Sequence, residues 1–442
     1  MPAAARRHMH LGVFVLGTGN HSAGWRYAGA TTSNCCVGVL QAIARIAERG
    51  KFDLFFISDS LAMDPGDHPS FISRFEPTTL IAALSAVTRH VGLGATVSTS
   101  FGEPFHVART FASLDHLSGG RAAWNVVTST NSAAALNFGR EHLHEHDLRY
   151  EIATEFVDAV RGLWDTWDDG AIVADRTTGT FLDAAKVRPL NHKGRFFSVK
   201  GPLNIERCPQ GHPVIIQAGG SVPGQELSAR SADLVFSVVN GDPVAAKAAY
   251  GGLKARVVKH GRAPEALAIL PGVMPIIGES EAQAKEQLDL LQSWLTSTNA
   301  LTLVSQRLGH DISSYPLDGP IPEFPQTDRG QAFSRTLFDM ARRENMTLRD
   351  LYNITAAARG HWVICGTPKR IADIFEGWFT GGMADGFVIM PAYFPGAFDD
   401  FVDKVVPELQ RRGLFRREYE GVTLRDHLGL ARTIRTAQRK SA

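Results

Sequence analysis

The stretch GGRAAWNVVTS, residues 119–129, and the segment HEHDLRY, residues 144–150, together decide the fold of this chain. In the first stretch, an apolar run rich in β-forming residues ends in the hydroxyl-bearing residues 128–130. In the second, a polar first turn opens a long amphipathic helix. A buried strand that ends in hydroxyls and leads into such a helix is one strand–helix unit, with a polar site where the strand ends.

The same unit recurs along the 442 residues, which predicts an α/β fold, a (β/α)8 TIM barrel. No Gly-x-Gly-x-x-Gly follows the first strand, which disfavours the alternative of a doubly wound open sheet. We expect a single domain, residues 1–442, with insertions around 168–212 and 279–360. The largest insertion would lie between strand 7 and the helix before strand 8. The predicted strands span residues 10–16, 52–58, 91–97, 121–127, 213–218, 234–238, 267–277 and 386–390.

Composition argues against several classes of function. A formal net charge of +1 leaves no basic field to attract nucleic acid or an anionic membrane. No apolar run reaches the roughly 20 residues that span a bilayer, and no secretory signal is expected. The four cysteines form no Cys-x-x-Cys, and His142, His144 and His146 alternate, a spacing that does not suit zinc. We therefore expect a cytoplasmic protein with reduced thiols and no metal.

The predicted strand ends are polar without being acidic. They offer no pair of carboxylates for glycoside hydrolysis and no lysine for Schiff-base chemistry. Hydroxyls, amides and aromatic rings dominate, and such a lining suits a large polar cofactor that performs the chemistry itself. Asp59, which follows the second strand, could cap the next segment or accept hydrogen bonds from a cofactor.

The segment AGGS, residues 218–221, lies between a predicted strand and a predicted helix. Gly219 and Gly220 would expose backbone N–H groups at a helix N-terminus, where an anion is favoured, and Ser221 adds a hydroxyl. A plain tight turn needs the same glycines, so that alternative stays open. His146 and Tyr150, one helical turn apart, could donate to the same phosphate.

On these motifs the chain resembles the flavin-dependent monooxygenases of the bacterial luciferase superfamily. It is most similar to the branch of nitrilotriacetate and dibenzothiophene-sulfone monooxygenases, from residue 8 to residue 430. The matching pieces are MHLGVF (9–14), ERGKFDLFFISDS (48–60), HVARTFASLDHLSGGRAAWNVVTS (106–129), HDLRY (146–150), VIIQAGGS (214–221), YPLDGP (315–320), GTPKRIAD (366–373), ADGFVIMP (384–391) and TLRDHLGL (423–430).

The resemblance implies a barrel that binds FMN at its strand ends. Asp59 and Thr96 would contact the isoalloxazine ring or the ribityl chain, while Asn125 and Thr128 would line the site or shape its floor. The residues implied for the ribityl and phosphate region are His146, Tyr150, Gly219, Gly220 and Ser221.

The resemblance also implies an activity. Family members use reduced FMN from a separate NADH:FMN reductase, and O₂ forms a C4a-peroxyflavin that oxidises a small organic substrate. That substrate would be heteroaromatic, a sulfone or an aminopolycarboxylate. The predicted strand ends carry few cations apart from Arg26, which favours an apolar or heteroaromatic compound. A homodimer or homotetramer is expected from the relatives.

His21 is the candidate catalytic residue, because it lies near the end of the first strand. Residues 279–360, with the proline-rich piece 315–325, would cover the site as a lid or serve as a static packing or oligomer element. The candidate substrate contacts are the aromatic residues Phe14, Trp25, Phe101 and Tyr393.

Three other functions stay open at this point. A deazaflavin-dependent oxidoreductase of the same superfamily would transfer hydride without O₂. A noncatalytic protein would bind FMN without activating O₂. A phosphate-binding isomerase barrel would need a carboxylate or lysine at a strand end, and the predicted ends do not offer a suitable one.

Overall fold

The computed structural model describes residues 7–295, 301, 304–305, 311–312, 314–321, 341–343 and 345–433. The strands in it are β1 His10–Val15, β2 Leu54–Ile57, β3 Gly92–Ser98, β4 Ala122–Val127, β5 Ile172–Asp175, β6 Thr180–Leu182, β7 His192–Lys193, β8 Ser198–Val199, β9 Val214–Gln217, β10 Leu234–Ser237, β11 Ala268–Ile277, β12 Trp362–Gly366 and β13 Gly386–Ile389. Eight of them run parallel in the order β1-β2-β3-β4-β9-β10-β11-β13, and β13 pairs with β1 to close a barrel. The predicted (β/α)8 fold is therefore confirmed.

Helices connect the strands on the outside of the barrel. The α-helices with fully described bounds are α1 Val37–Arg49, α2 Pro69–Ile72, α3 Pro77–Ser85, α4 Pro104–Ser118, α5 Ser132–Asn137, α6 His146–Trp164, α7 Val222–Ser231, α8 Pro243–Lys259, α9 Glu281–Ser293, α10 Leu348–Ala358, α11 Pro368–Thr380, α12 Gly396–Asp400, α13 Val406–Arg411 and α14 Leu424–His427. Proline occupies the first turn of α3, α4, α8 and α11, where a backbone N–H would have no partner within the helix. Short 3-10 turns span Gly24–Arg26, Ala184–Lys186 and Pro264–Ala266.

Two helical segments show distinctive local features. Helix α6 begins at His146, within the segment 144–150 that was expected to open it, and Asp147 places a negative charge at the positive end of the helix dipole. The helical segment that follows β13 is interrupted by a π-helical turn, Phe401–Val405, between α12 and α13.

The strands send alternate side chains into the barrel and out towards the helices. Inside, the Phe14 ring lies 5.2 Å from the Phe56 ring and 5.4 Å from the Phe236 ring, so three aromatic rings fill the barrel axis. Outside, Trp124 on β4 packs between Phe111 of α4 and Phe156 of α6. The barrel is consequently a solid core, and only its ends can bind a ligand.

The strand β12 was missed by the sequence prediction. It is a five-residue apolar segment next to a helical region. Among the described residues it pairs with β11 alone, over Val273 to Ile277, where β11 extends past its pairing with β10. The chain before β12, residues 359–361, is thereby held over the C-terminal end of the barrel. The other insertion, residues 168–212, forms the antiparallel hairpins β5–β6 and β7–β8.

Across the described residues, every helix is too short or too polar to traverse a bilayer. The same residues contain no cluster of three histidine, cysteine, aspartate or glutamate side chains that could bind a metal ion.

Candidate active site

The C-terminal end of the barrel, called the mouth below, has a polar layer directly above the aromatic rings. Thr96 on β3 donates its hydroxyl to the carbonyl of Ile57 (2.8 Å) and accepts from Asn125 Nδ2 on β4 (2.8 Å). Both residues are buried. The remaining amide oxygen, Asn125 Oδ1, is buried and has no hydrogen-bond partner among the described residues. The two predicted residues thus form one pair that leaves one acceptor unused.

The end of β2 contributes Ser58 and Asp59. The hydroxyl of Ser58 is buried without a partner in the described part of the chain. The carboxylate of Asp59 accepts from the backbone N–H of Ser60 at 2.8 Å, and burial raises its pKa. Asp59 therefore does not cap a helix, because the next long helix, α3, is capped by Glu76.

The loop after β1 places Asn20 and His21 beside the end of β13. Asn20 Nδ2 donates to the carbonyls of Phe14 and Pro391, both at 3.2 Å. His21 Nδ1 accepts from the backbone N–H of Ala23 at 3.1 Å. Asn20 Oδ1 and His21 Nε2 are both buried with no partner in the described residues. Two further polar groups at the mouth are therefore unsatisfied.

The AGGS turn forms the N-terminus of α7, as predicted. Ser221 is the N-cap, and its hydroxyl accepts from the backbone N–H of Gly224 at 3.3 Å. A Cβ added to Gly219 would lie 2.8 Å from the hydroxyl of Tyr150, so the tyrosine rests directly on the glycine turn. The ring of His146 lies 5.1 Å from the ring of Tyr150. The structure thus brings together the residues expected at a phosphate.

Sequence reasoning missed two residues that organise this corner. Gln217 at the end of β9 accepts hydrogen bonds from the backbone N–H of Gly219 and from the hydroxyl of Ser228 (3.0 Å), which holds the turn. Buried Arg149 on α6 donates to the carbonyls at positions 128 and 129, 3.2 and 2.5 Å away. Thr128, a predicted site residue, is tied in this way to the first turn of α6. The available signal was the position of Arg149 itself, an arginine next to Tyr150 in the segment 144–150 that was already expected to contribute to the site.

The four aromatic candidates for substrate contact have different surroundings. Phe14 is buried in the barrel, whereas Trp25 is 42% exposed. Phe101 stacks on Phe138, with centroids 4.4 Å apart. Tyr393 stacks on Tyr27 at 4.2 Å. The structure thus places Phe14 in the barrel interior and gives Phe101 and Tyr393 different stacking partners.

The segment before β12 brings two more residues to the mouth that were not predicted. The ring of His361 stacks on Phe236 with centroids 5.0 Å apart. The guanidinium carbon of Arg359 lies 5.8 Å from the centre of the Phe14 ring. Both residues therefore lie over the barrel axis. In sequence, the barrel strand nearest to them is β13.

Comparison with known proteins agrees with this geometry. The family described as luciferase-like monooxygenase matches residues 9–385. N-acetyl-S-(2-succino)cysteine monooxygenase of Bacillus subtilis (strain 168) is 46% identical over 433 residues, which cover 97% of this chain and 98% of that protein. Nitrilotriacetate monooxygenase component A of Aminobacter aminovorans is 45% identical over 445 residues, with 97% and 98% covered.

A crystal structure of riboflavin lyase with modified FMN and riboflavin superposes with a TM-score of 0.85 at 29% identity, over 96% of both chains. The fold that this structure shares with the chain is the closed parallel (β/α)8 barrel. The chain belongs to the luciferase-like monooxygenase family. It is an enzyme, the oxygenase component of a monooxygenase, and the resemblance inferred from its motifs is confirmed.

Proposed function

We propose that this monooxygenase binds FMN at the mouth and uses it in the reduced form, with O₂, to oxidise a small organic substrate. The single observation that carries the proposal is a set of unsatisfied buried polar atoms on three strand ends, next to a glycine turn that can bind a phosphate. Buried polar groups without partners are costly, so their concentration here indicates a polar ligand.

The phosphate would lie at the N-terminus of α7. Gly219 leaves the space that a Cβ would fill against Tyr150, and the first-turn N–H groups of the helix favour an anion. The hydroxyls of Tyr150 and Ser221 and the ring of His146 supply further donors. This corner fits the phosphate of FMN.

The ring system would lie over the aromatic floor. Asn125 Oδ1 can accept a hydrogen bond from a ring N–H, and Ser58 can accept or donate one. Thr96 fixes the amide of Asn125, and Asp59 stands at the neighbouring strand end. In this proposal Thr128 shapes the floor through its tie to Arg149. These donor and acceptor types fit a flavin.

Reduced FMN supplies the two electrons with which one oxygen atom of O₂ enters the substrate and the other leaves as water. The protein must then orient the substrate and exclude water from the reacting atoms. Phe14, Phe56 and Phe236 close the site from below. Residues 279–360 would act from above as a lid, and part of this segment, including 322–340, lies outside the described residues.

His21 is the residue that we propose to hold a proton near the reacting atoms. Since its Nδ1 accepts from Ala23, the neutral ring carries its hydrogen on Nε2, the atom that has no partner in the described residues. It would act as a hydrogen-bond donor. The aromatic residues Trp25, Phe101 and Tyr393 would contact substrate at the rim.

The proposal includes two kinds of partner, a reductase and further copies of the same chain. A separate NADH:FMN reductase would supply the reduced flavin, and the name of the nitrilotriacetate relative, component A, supports a system of more than one protein. We further propose that the protein works in the cytoplasm as a homodimer or homotetramer.

The decisive experiment titrates the protein with FMN in both redox forms and follows flavin fluorescence. We expect saturable binding that Tyr150→Phe weakens. Oxygen consumption is then measured with a reductase, NADH and a panel of N-acetyl-S-(2-succino)cysteine, nitrilotriacetate and dibenzothiophene sulfone. A protein that takes up neither form of FMN would contradict the proposal. Binding without substrate-dependent O₂ uptake would favour a flavin carrier, and preference for a deazaflavin would favour hydride transfer.

A further inference from the structure

Two arginines pack on one phenylalanine at the mouth. The guanidinium carbon of Arg74 lies 4.3 Å from the centre of the Phe71 ring, and that of Arg359 lies at the same distance. The two cations are therefore separated by at most twice this distance. They come from different parts of the chain, the loop after β2 and the segment that precedes β12.

Phe71 belongs to the mouth because α2 is fixed to the end of β1. The ring of His68 contacts Phe71, with centroids 5.7 Å apart, and its Nε2 lies 3.2 Å from the carbonyl oxygen of Asn20. The hydroxyl of Ser70 donates to the carbonyl of Gly19 at 2.8 Å. Phe71 also packs in the same apolar cluster as Phe14. The arginine pair therefore lies beside the aromatic floor on which the flavin is proposed to lie.

The charge of Arg74 is incompletely compensated. Its Nη2 donates to the carbonyl of Phe71 at 3.2 Å, whereas its Nη1 is buried and has no acceptor among the described residues. The acidic side chains that act on it are Asp59 and Asp67, but no hydrogen bond joins either of them to Arg74 in the described structure. Burial lowers the pKa of Arg74, which shows that its charged form is desolvated.

We propose that the substrate is a small organic acid and that Arg74 and Arg359 bind its carboxylate, with its carbon chain against Phe71. A guanidinium donates two parallel hydrogen bonds to a carboxylate, which gives both strength and orientation. This proposal rests on the proposed function, because it names the substrate class of that same site. The two arginines are specificity-determining residues.

The proposal replaces the expectation of an apolar or heteroaromatic substrate. That expectation was based only on the cations near the predicted strand ends, which are few apart from Arg26. In the structure Arg26 is engaged elsewhere, since it donates to the carbonyl of Trp294 at 2.7 Å and packs on the Trp294 ring. The two arginines that reach the mouth come from loops that the sequence could not assign to it.

The test measures ligand binding by calorimetry to the full chain, with and without oxidised FMN. The ligands are N-acetyl-S-(2-succino)cysteine, nitrilotriacetate and succinate, the methyl esters of the same acids, and dibenzothiophene sulfone. At least one acid should bind, and its ester should bind more weakly. Arg74→Gln and Arg359→Gln should each weaken acid binding by about tenfold to a hundredfold, as expected for lost charged hydrogen bonds, and change FMN affinity little.

Arg176→Gln, at an exposed position on the hairpin insertion, is the matched control and should bind the acid as the natural chain does. Arg74→Lys and Arg359→Lys keep the charge and should retain part of the affinity, which separates a binding role from loss of folding. The proposal is overturned if none of the acids binds, with or without oxidised FMN. It is also overturned if the esters or the sulfone bind as tightly as the acids, or if the glutamine variants bind the acid as tightly as the natural chain. Failure of FMN to bind, with acid binding intact, would contradict the proposed function alone.

Discussion

His21 shows how burial sets the chemistry of a single side chain. It is 1% exposed, and burial lowers its pKa to about 3. The ring is consequently neutral at any physiological pH, with Nδ1 as acceptor and Nε2 as donor. A neutral donor can hold an oxygen or nitrogen atom of a ligand without adding a positive charge to the site. In the proposed role, His21 therefore works as a hydrogen-bond donor and not as an acid that titrates near neutrality.

The stability of the protein should reflect this buried histidine. In the folded state the pKa of His21 is about 3, below the unfolded value of 6.5, so the unfolded chain binds more protons between these values. Stability should therefore fall as the pH drops below 6.5, and His21 should account for about 2 kcal/mol of that loss at pH 5. His21→Asn removes this contribution to the loss of stability. Denaturant unfolding at pH 5 and pH 7.5 measures the change in the free energy of unfolding between the two pH values.

His142→Asn is the control for this measurement, because His142 is exposed. It should reproduce the pH dependence of the natural chain. If the His21 variant also showed an unchanged pH dependence, the histidine would be solvated or paired in the folded state, and its assignment as a buried neutral donor would be wrong.

At the scale of elements, the start of α7 depends on one glycine and on its neighbours. Gly219 lies under the Tyr150 hydroxyl, and the Gln217 side chain holds its N–H. Helix α6 supplies Tyr150 and is in turn tied to the end of β4 by Arg149. The candidate phosphate site is thus assembled from the ends of two strands and the first turns of two helices.

Gly219→Ala should weaken FMN binding by about tenfold or more, since a methyl group would lie 2.8 Å from the Tyr150 hydroxyl and displace it. Fluorescence titration with FMN measures the change. The double variant with Tyr150→Phe should lose less affinity than the sum of the two single variants, because the closest clash is removed.

Gly252→Ala provides the control, because Gly252 lies in α8 with no atom within 4 Å of an added Cβ. FMN affinity should not change in this variant. If the folded Gly219→Ala variant bound FMN as tightly as the natural chain, the phosphate would lie elsewhere.

At the scale of the whole molecule, the C-terminal segment returns to the end of the barrel opposite the mouth. Asp53, fully buried before β2, accepts hydrogen bonds from Arg416 and from the backbone N–H of Leu11 at 2.8 Å. Arg425 pairs with Asp233 at 2.8 Å. The last described residues therefore join the starts of several strands, far from the candidate active site. The buried ion pairs that stabilise the fold and the candidate active site thus lie at opposite ends of the barrel, as in other barrels of this architecture.

Asp53→Ala should lower the free energy of unfolding by about 3–5 kcal/mol, because it leaves Arg416 buried without its counter-charge. FMN affinity of the folded variant should stay unchanged, because the mouth is not touched. Urea unfolding and FMN titration of the same preparation measure both quantities.

The control is Glu151→Ala, which removes an exposed ion pair with Arg195 and should cost about 0–1 kcal/mol. Equal losses in the two variants would show that the buried pair contributes no more than a surface pair. A lower FMN affinity in Asp53→Ala would show that the two ends of the barrel are coupled.

Local patterns in the sequence were sufficient for the barrel and for part of the site. The eight predicted strands overlap β1, β2, β3, β4, β9, β10, β11 and β13, because burial between a barrel core and a helix layer selects continuous apolar runs. The polar residues that follow those runs, such as Asp59, Thr128 and Ser221, were predicted at the candidate site for the same reason. Parallel strands bring their ends to one edge, so position along the chain is enough to place them.

Only the tertiary structure decided which other residues reach the mouth. Strand β12 has no periodic signal that separates it from the helical region around it, and it exists because the overhang of β11 offers an edge to pair with. That pairing carries Arg359 and His361 over the barrel, while hydrogen bonds from α2 to the end of β1 carry Arg74 there. The sequence by itself determined the barrel, because each buried strand is a continuous apolar run that can be recognised from its own residues. The charge of the site depends on contacts between distant segments, and no local pattern encodes such contacts.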